Sequence, residues 1–196
     1  MLPDDFTQRR AYNAVSDFVD ANIARGLGDK LAFRDGTRSL TFKELQDTTF
    51  RFAGALRGLG LKQESRIALL LLDTTDFPVA FWGSIRAGVI CIPLNTLLTT
   101  EQYEYVLNDS RAEVLIVSEP LFTTVAPILG KLNYLRSIVV SGGAATTTSS
   151  PTLTHSVLGL DDLIARQEPK VATAPTLSDD VLSGFIPQDR PARRKA

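Results

Sequence analysis

Reactive side chains are scarce in these 196 residues, which hold one cysteine, one histidine, one methionine and one tryptophan. The single thiol, Cys91, excludes an internal disulfide framework and fits a reducing cytosol. No spacing of histidine, cysteine and acidic side chains suggests a metal site. Neither sign of charge is in excess. The 21 Lys and Arg against 22 Asp and Glu leave a net charge of −1, which argues for neither nucleic-acid nor anionic-membrane binding. Long hydrophobic runs are missing too: the longest, IALLLL at 67–72, falls far short of the roughly 20 apolar residues that span a bilayer. The opening MLPDDFTQRRAYNA lacks the apolar core of a signal peptide. A dinucleotide fingerprint is also absent, because Gly58 and Gly60 follow a helical pattern rather than joining a strand to a helix. What remains is the composition of a globular cytoplasmic protein, 44% hydrophobic and 22% charged, long enough to bury a sizeable core.

Hydrophobic periodicity organises that core. Val15, Phe18, Val19 and Ile23 recur at helical spacing over 11–26, with Gly26 as the stop. KLAFRDGTRSLTF reads as two short strands around the turn signal Asp35-Gly36. The clearest helix follows. Thr41 and Glu44 form a capping box at its start, Phe42, Leu45, Phe52, Ala53 and Leu56 share one face, and Gly58 and Gly60 end it. IALLLL is then a continuously apolar strand of the kind covered on both faces in a parallel sheet. Asp76 is the expected N-cap of the next helix, with Pro78 in its first turn. VICIPLN is a second buried strand, Thr99 and Gln102 open a further capped helix, AEVLIVS is a strand, EPLFTTVAPILGKL a helix, and LRSIVVSGG a strand. Strand and helix alternate through short linkers, which predicts an α/β fold: a doubly wound, mostly parallel sheet with helices on both faces. Residues 141–153 form a loop of small side chains.

Chemistry-bearing residues stand apart from one another. His155 reads as a solvated surface side chain beyond that loop. Cys91, inside an apolar strand, reads as a small buried hydrophobe rather than a nucleophile. Asp161-Asp162 resembles a carboxylate dyad, but the pair precedes LIARQ, where acidic charge favours a helix N-terminus. Trp82 with Phe77 and Phe81 could form an aromatic box, yet their helical spacing fits core packing better. Asn95 closes the VICIPLN strand. It is either a residue bordering a ligand crevice at the carboxyl ends of the strands or an ordinary strand-to-loop asparagine.

Several stretches in combination resemble the N-terminal portion of the adenylate-forming acyl- and aryl-CoA synthetases. The family pattern is a hairpin, then T-Y/F-x-E-L opening a helix, a buried strand, a helix ending in Ala-Gly (here Ala87-Gly88) and a strand ending in P-L/V-N. YNAVSDFVDANIARGLGDK, LLLLDTTDFPVAFWGSIRAG and NTLLTTEQYEYVLNDSRA are similar to benzoate–CoA ligases almost continuously, and the likeness covers about residues 11–182. The resemblance implies ATP, Mg2+ and coenzyme A as family cofactors, an aromatic carboxylic acid as substrate, and a reaction through an acyl-adenylate. It also implies a phosphate loop reading Y/F-S-S-G-S-T-G-x-P-K-G shortly after a pair such as Asp179-Asp180.

That loop is absent, and SGFIPQDRPARRKA, residues 183–196, stands in its place. Back-translated with permitted synonymous codons and read two bases later, this tail spells W-L-Y-S-S-G-S-T-G-A-P-K-G. The junction of Arg190 and Pro191 must then give NCC, which includes Thr, and that of Pro191 and Ala192 must give NGC, which includes Gly. The expectation is a base lost around Leu182 and Ser183, in a codon that would have read Phe. The chain would divide into 1–182, a partial ligase subdomain, and 183–196, an out-of-frame tail. A basic patch in RPARRKA is the weaker alternative. On this view no catalytic residue and no cofactor- or metal-binding residue of the family falls within 1–182, and Asn95 is the one candidate near the substrate. Two roles stay open: a ligase fragment inactive by itself, or a non-catalytic α/β module that binds a full-length ligase. Cover for IALLLL is expected to come in part from segments beyond the break, which would leave the fragment marginally stable and prone to aggregate.

Overall fold

Five parallel strands carry the architecture. The computed structural model describes residues 10–143 and 155–184. A π-helical turn, Ser16–Asp20, runs into the short helix α1, Ala21–Ala24, and Gly26 ends it with φ +77°. Strands β1 (Leu31–Arg34) and β2 (Ser39–Thr41) pair antiparallel around Asp35-Gly36. Asp35 Oδ1 accepts from the amides of Thr37 and Arg38 and closes the turn locally. Helix α2, Phe42–Gly58, starts at the expected capping box. Thr41 Oγ1 accepts from Glu44 N at 3.2 Å, and Thr41 N donates to Glu44 Oε2 at 2.8 Å.

The main sheet contains β3 (Arg66–Leu70), β4 (Ile90–Pro93), β5 (Val114–Ser118), β6 (Ser137–Ser141) and β7 (Ser156–Gly159), in the spatial order β4-β3-β5-β6-β7. Every pairing within it is parallel, so each connection must cross a face of the sheet. Helix α3 (Asp76–Ala87) joins β3 to β4, and α4 (Thr100–Ser110) joins β4 to β5. Helix α5 (Glu119–Val125), continued by a 3-10 turn over Ala126–Lys131, leads to β6. Helix α6 (Leu160–Ala165) follows β7 with Asp161 and Asp162 in its first turn, as their position before LIARQ implied. The α4 capping box is present, with Thr99 N donating to Gln102 Oε1 at 2.9 Å.

Alternation along β3 divides two cores. Ile67 and Leu69 face α2 and α3, together with Phe52, Leu56, Val79 and Ala80. Ala68 and Leu70 face α4 and α5, together with Tyr103, Leu107, Val125 and Ile128. All four β3 side chains are fully buried. Both faces of β3 are therefore covered by this chain's own helices, which corrects the expectation that part of that cover must come from later segments. Ile67, Leu69 and Leu70 each contribute about 1.5–3 kcal/mol by leaving water, so β3 anchors the fold.

Helices α2 and α3 touch closely because Gly83 has no side chain. A Cβ there would lie 2.6 Å from Phe52 Cδ1. Where α3 ends, Arg86 is entirely buried. Its guanidinium donates from Nε to Thr49 Oγ1, from Nη1 to Thr173 Oγ1 and to Asp20 Oδ2, and from Nη2 to Asp20 Oδ1 at 2.6 Å. Its flat face lies 3.7 Å from the centroid of Phe50. This one cation joins the N-terminal turn, α2, α3 and the returning chain near 173.

The structure departs from expectation at three further places. Asp76 does not cap α3: Thr75 holds the N-cap position, and the Asp76 carboxylate turns instead to Arg38 and Ser141. Phe18, assigned to a buried helical face, is 60% exposed because the π turn rotates it outward. Strand β7 gave no clear apolar run in the sequence and adds a fifth strand at one edge of the sheet. Most of the small-residue loop, its residues 144–153, lies outside the described residues, as do 185–196 of the tail.

Candidate functional site

The strand order reverses between β3 and β5, since the chain moves outward from β3 to β4 and then returns across β3 to β5. In open α/β sheets such a reversal opens a crevice at the carboxyl ends of the strands. Here the crevice is bordered by the loops after Leu70, Pro93, Ser118 and Ser141. Leu72 N donates to Ser118 Oγ at 3.0 Å and ties the two loops that flank the reversal.

Asn95 lies at this edge, exposed, immediately beyond β4. Its Oδ1 accepts from Leu97 N at 2.9 Å, and its carbonyl accepts from the hydroxyl of the buried Tyr103 at 2.8 Å. The loop after β4 is thereby held to α4 at the crevice. Burial raises the Tyr103 hydroxyl above its ordinary pKa, so it remains a donor at neutral pH.

A second cluster stands where α3 begins. The Asp76 carboxylate, 8% exposed, accepts from the Arg38 guanidinium on one oxygen and from Ser141 Oγ on the other. Next to it, Asp35 Oδ2 accepts from Thr75 N at 2.8 Å. The Thr75 amide, followed by those of Arg38 and Thr37, holds the Asp35 carboxyl far below the usual carboxylate range. The positive end of α3 is therefore already matched by two carboxylates of the protein itself. Beside the cluster a cavity of about 190 Å3 is lined by Arg38, Leu40, Thr48, Asp76, Asp161 and Ile164, among others.

The other residues singled out in the sequence do not join either group. Cys91 is fully buried in β4, and desolvation pushes its thiol up to about 12, which agrees with a structural rather than nucleophilic role. His155 was expected at the surface. It is instead only 9% exposed, and its buried Nδ1 has no hydrogen-bond partner among the described residues. It directly precedes β7, at the amino ends of the strands, opposite the crevice. Phe77, Phe81 and Trp82 pack against the α2–α3 core as expected, but along its rim. Their rings run on into Phe18. Phe77 to Phe81 is 6.1 Å, Phe81 to Trp82 5.2 Å edge-on, and Trp82 to Phe18 5.4 Å stacked. The sequence reading missed the Arg38–Asp76–Ser141 cluster and the Arg86 network, whose members are dispersed along the chain. The only local sign of the first was an acidic residue where a buried strand gives way to a helix.

A nucleotide triphosphate needs convergent amide donors and cations. Among the described residues the carboxyl edge offers the opposite. Asp76 and Asp35 occupy the start of α3, and the Glu119 carboxylate lies 3.2–3.3 Å from the place where a side chain on Gly143 would begin. No group of three or more His, Cys, Asp or Glu suited to a metal occurs among the described residues. These residues do not fit ATP with Mg2+, and no step of a nucleotide reaction runs through them. Among the described residues no helix is long and apolar enough to cross a membrane.

At the same edge, Leu182–Gly184 lies beside β4, on the side away from β3. Cys91 N donates to Leu182 O at 3.4 Å, Gly184 N donates to Cys91 O at 2.9 Å, and Cys91 and Ser183 form a parallel bridge.

Comparison with known proteins agrees with this geometry. The chain is 44% identical over 172 residues to a 4-hydroxybenzoate–CoA/benzoate–CoA ligase of Rhodopseudomonas palustris, covering 88% of this chain and 30% of that protein. It is 39% identical to a benzoate–CoA ligase of Thauera aromatica, covering 86% of this chain and again 30% of the relative. It thus spans about 30% of the length of these relatives. Among solved structures, an anthranilate–CoA ligase in complex with anthranoyl-AMP superposes with a TM-score of 0.80 at 31% identity, over 88% of this chain and 32% of that one. A benzoate–CoA ligase from Burkholderia xenovorans LB400 gives 0.74 at 33%, over the same shares. The family model for AMP-binding enzymes matches residues 20–181, and the chain belongs to that family.

Proposed function

We propose that this chain is the opening segment of an ATP-dependent aryl-CoA ligase, that it performs no adenylation by itself, and that residues 183–196 are the family's phosphate loop read out of frame. In the intact reaction an aromatic carboxylate attacks the α-phosphate of ATP, giving an acyl-adenylate and diphosphate. The thiol of coenzyme A then displaces AMP to give the acyl-CoA. Benzoate, hydroxybenzoates and aminobenzoates all fit the relatives found. The likeness to an anthranilate–CoA ligase bound to anthranoyl-AMP supports the adenylate route.

The observation that carries this reading is the position of Leu182–Gly184. It pairs parallel to β4 at the point where the proposed offset frame would spell F-W-L-Y-S-S-G-S-T-G. Continued in that frame, an apolar strand would run along β4 and deliver a Gly-Ser-Thr loop to the carboxyl edge, beside Asn95. Asn95 then borders the aromatic acid's crevice, fixed there by Tyr103. Among the described residues the charge-stabilising donors, and the effective molarity they confer, are not gathered at this edge. The lone reduced thiol supports a cytosolic setting.

Diphosphate release with benzoate, ATP and Mg2+ should equal a no-protein blank, and turnover clearly above that blank would overturn the assignment. Resequencing the locus should find the missing base and, downstream in the shifted frame, the remainder of a ligase. An intact frame followed by unrelated codons would remove the out-of-frame account.

A further inference from the structure

We infer that residues 167–178, together with residues 10–13, form a clasp over helices α2 and α3 that opens and closes as one unit while the sheet beneath it stays folded. The clasp is a property of the fold and does not depend on the ligase reading.

After α6 the chain returns across α2 and the end of α3 without helix or strand. Three arginines hold it. The Arg51 guanidinium donates to Gln167 O, Arg57 Nη2 donates to Ala172 O at 2.6 Å, and Arg86 Nη1 donates to Thr173 Oγ1 at 3.0 Å. Ala174 N donates in turn to Arg86 O at 2.8 Å. Two glycines let the segment lie close: a Cβ on Gly54 would come within 2.9 Å of Val171, and one on Gly88 within 2.8 Å of Ala174. Yet this segment buries little. Only Ala174 and Thr176 in it are buried, and no residue of 167–178 belongs to either hydrophobic core. Lifting it exchanges hydrogen bonds for water and exposes little apolar surface, as in segments that open well below global unfolding. Arg86 keeps Asp20 and Thr49 when Thr173 leaves, so no buried charge is stranded.

Residues 10–13 move with it because each segment supplies the other's partners. Ala11 and Leu177 form an antiparallel bridge. Tyr12 N donates to Thr176 O at 2.8 Å, Thr176 Oγ1 donates back to Tyr12 O, and Ser178 N donates to Arg10 O at 2.9 Å. Neither segment can leave alone without breaking all of these bonds. Asn13, 6% exposed, pins the pair to the body of the protein. Its Nδ2 donates to Ile85 O in α3 at 2.8 Å and to Ala174 O at 3.4 Å. Beyond Asn13 the chain enters the core through Ala14, Val15 and Val19, which sets the limit of the opening.

Hydrogen exchange of the complete 196-residue chain, read amide by amide by NMR, tests the clasp. The amides of Tyr12, Ala174, Thr176 and Ser178 should share one protection, lower by on the order of tenfold or more than that of the amides in β3 and β5. In dilute urea their exchange should change little, because opening exposes little surface, whereas exchange in β3 and β5 should rise steeply. Asn13→Ala should speed all four clasp amides together, on the order of tenfold. Val19→Ala, which weakens the core beyond the limit of the opening, should speed the sheet amides and leave the clasp amides unchanged. If Asn13→Ala does not fold, Ala11→Cys with Leu177→Cys replaces it. Opposed antiparallel residues lie about 4.5–5.5 Å apart at Cα, within disulfide reach, and the cross-link should slow all four amides toward the rate of the sheet until it is reduced. Four unrelated protections, four equal to those of β3, clasp amides that follow Val19→Ala, or clasp amides that neither Asn13→Ala nor the cross-link moves as a group would each overturn the inference.

Discussion

Asp20→Ala tests whether the buried Arg86 network holds the two helical layers together. The Arg86 side chain has no exposed surface, and the Asp20 carboxylate, 26% exposed, supplies its ion-pair partner at 2.6 Å. The guanidinium donates four hydrogen bonds, two to Asp20 and one each to Thr49 and Thr173. Removing Asp20 deletes the charged pair and strands a buried cation, a loss of about 3–5 kcal/mol in comparable cases. The partial exposure of Asp20 lets water reach the vacated space, which places this site near the lower end, about 3 kcal/mol. In a chain of this length that corresponds to a fall of roughly 6–12 °C in Tm. Urea unfolding followed by circular dichroism should show the midpoint drop with an unchanged slope. Asp20→Ala combined with Arg86→Met should recover part of the loss, because it removes the stranded charge and keeps an apolar stem against Phe50. A single variant within about 0.5 kcal/mol of the parent, or a double variant no better than the single, would refute the reasoning.

Three further outcomes follow from local geometry. Gly83→Ala should destabilise by about 1–3 kcal/mol despite alanine's better helix propensity, because the new Cβ meets Phe52 at 2.6 Å; unfolding midpoints measure it. Asp35 has a folded-state pKa below its unfolded value, so it contributes stability above the unfolded value of about 3.9 that is lost as pH falls toward the folded one. Acid titration below about pH 4 should therefore destabilise the parent more steeply than Asp35→Asn. Cys91, buried and with its thiol pushed up to about 12, should not react with a thiol reagent until the chain unfolds, when it should react fully.

Elements encoded by neighbouring residues were legible in the sequence. Both capping boxes, the Asp35-Gly36 hairpin, the apolar β3 run and the acidic start of α6 rest on contacts between residues a few positions apart, and each is found as read. The misreadings came where a distant partner decides the outcome. Asp76 has the position of an N-cap, but its carboxylate is taken by Arg38 and Ser141, one far before it and one far after. A histidine beside a polar loop looks solvated until the sheet closes around it. Phe18 fits a helical stripe, and only the π turn sends it outward. Strand β7 carries SVLG, too short and mixed to announce itself, and is fixed by register against β6.

The same logic explains why this chain shows a scaffold so clearly and chemistry so faintly. In a doubly wound sheet the loops at the carboxyl ends can be varied while the strands beneath them hold their register. Here the strands are complete enough to bury β3 on both faces, so the core does not wait for later residues. The crevice above them is walled by Asn95 and Tyr103 on one side and floored by carboxylates that neutralise α3 on the other. Such a crevice can position an acid only if something else brings positive charge and amide donors to it. At the edge of β4 that faces away from β3, Gly184 N meets Cys91 O at 2.9 Å. The fold is held by contacts that lie before Leu182.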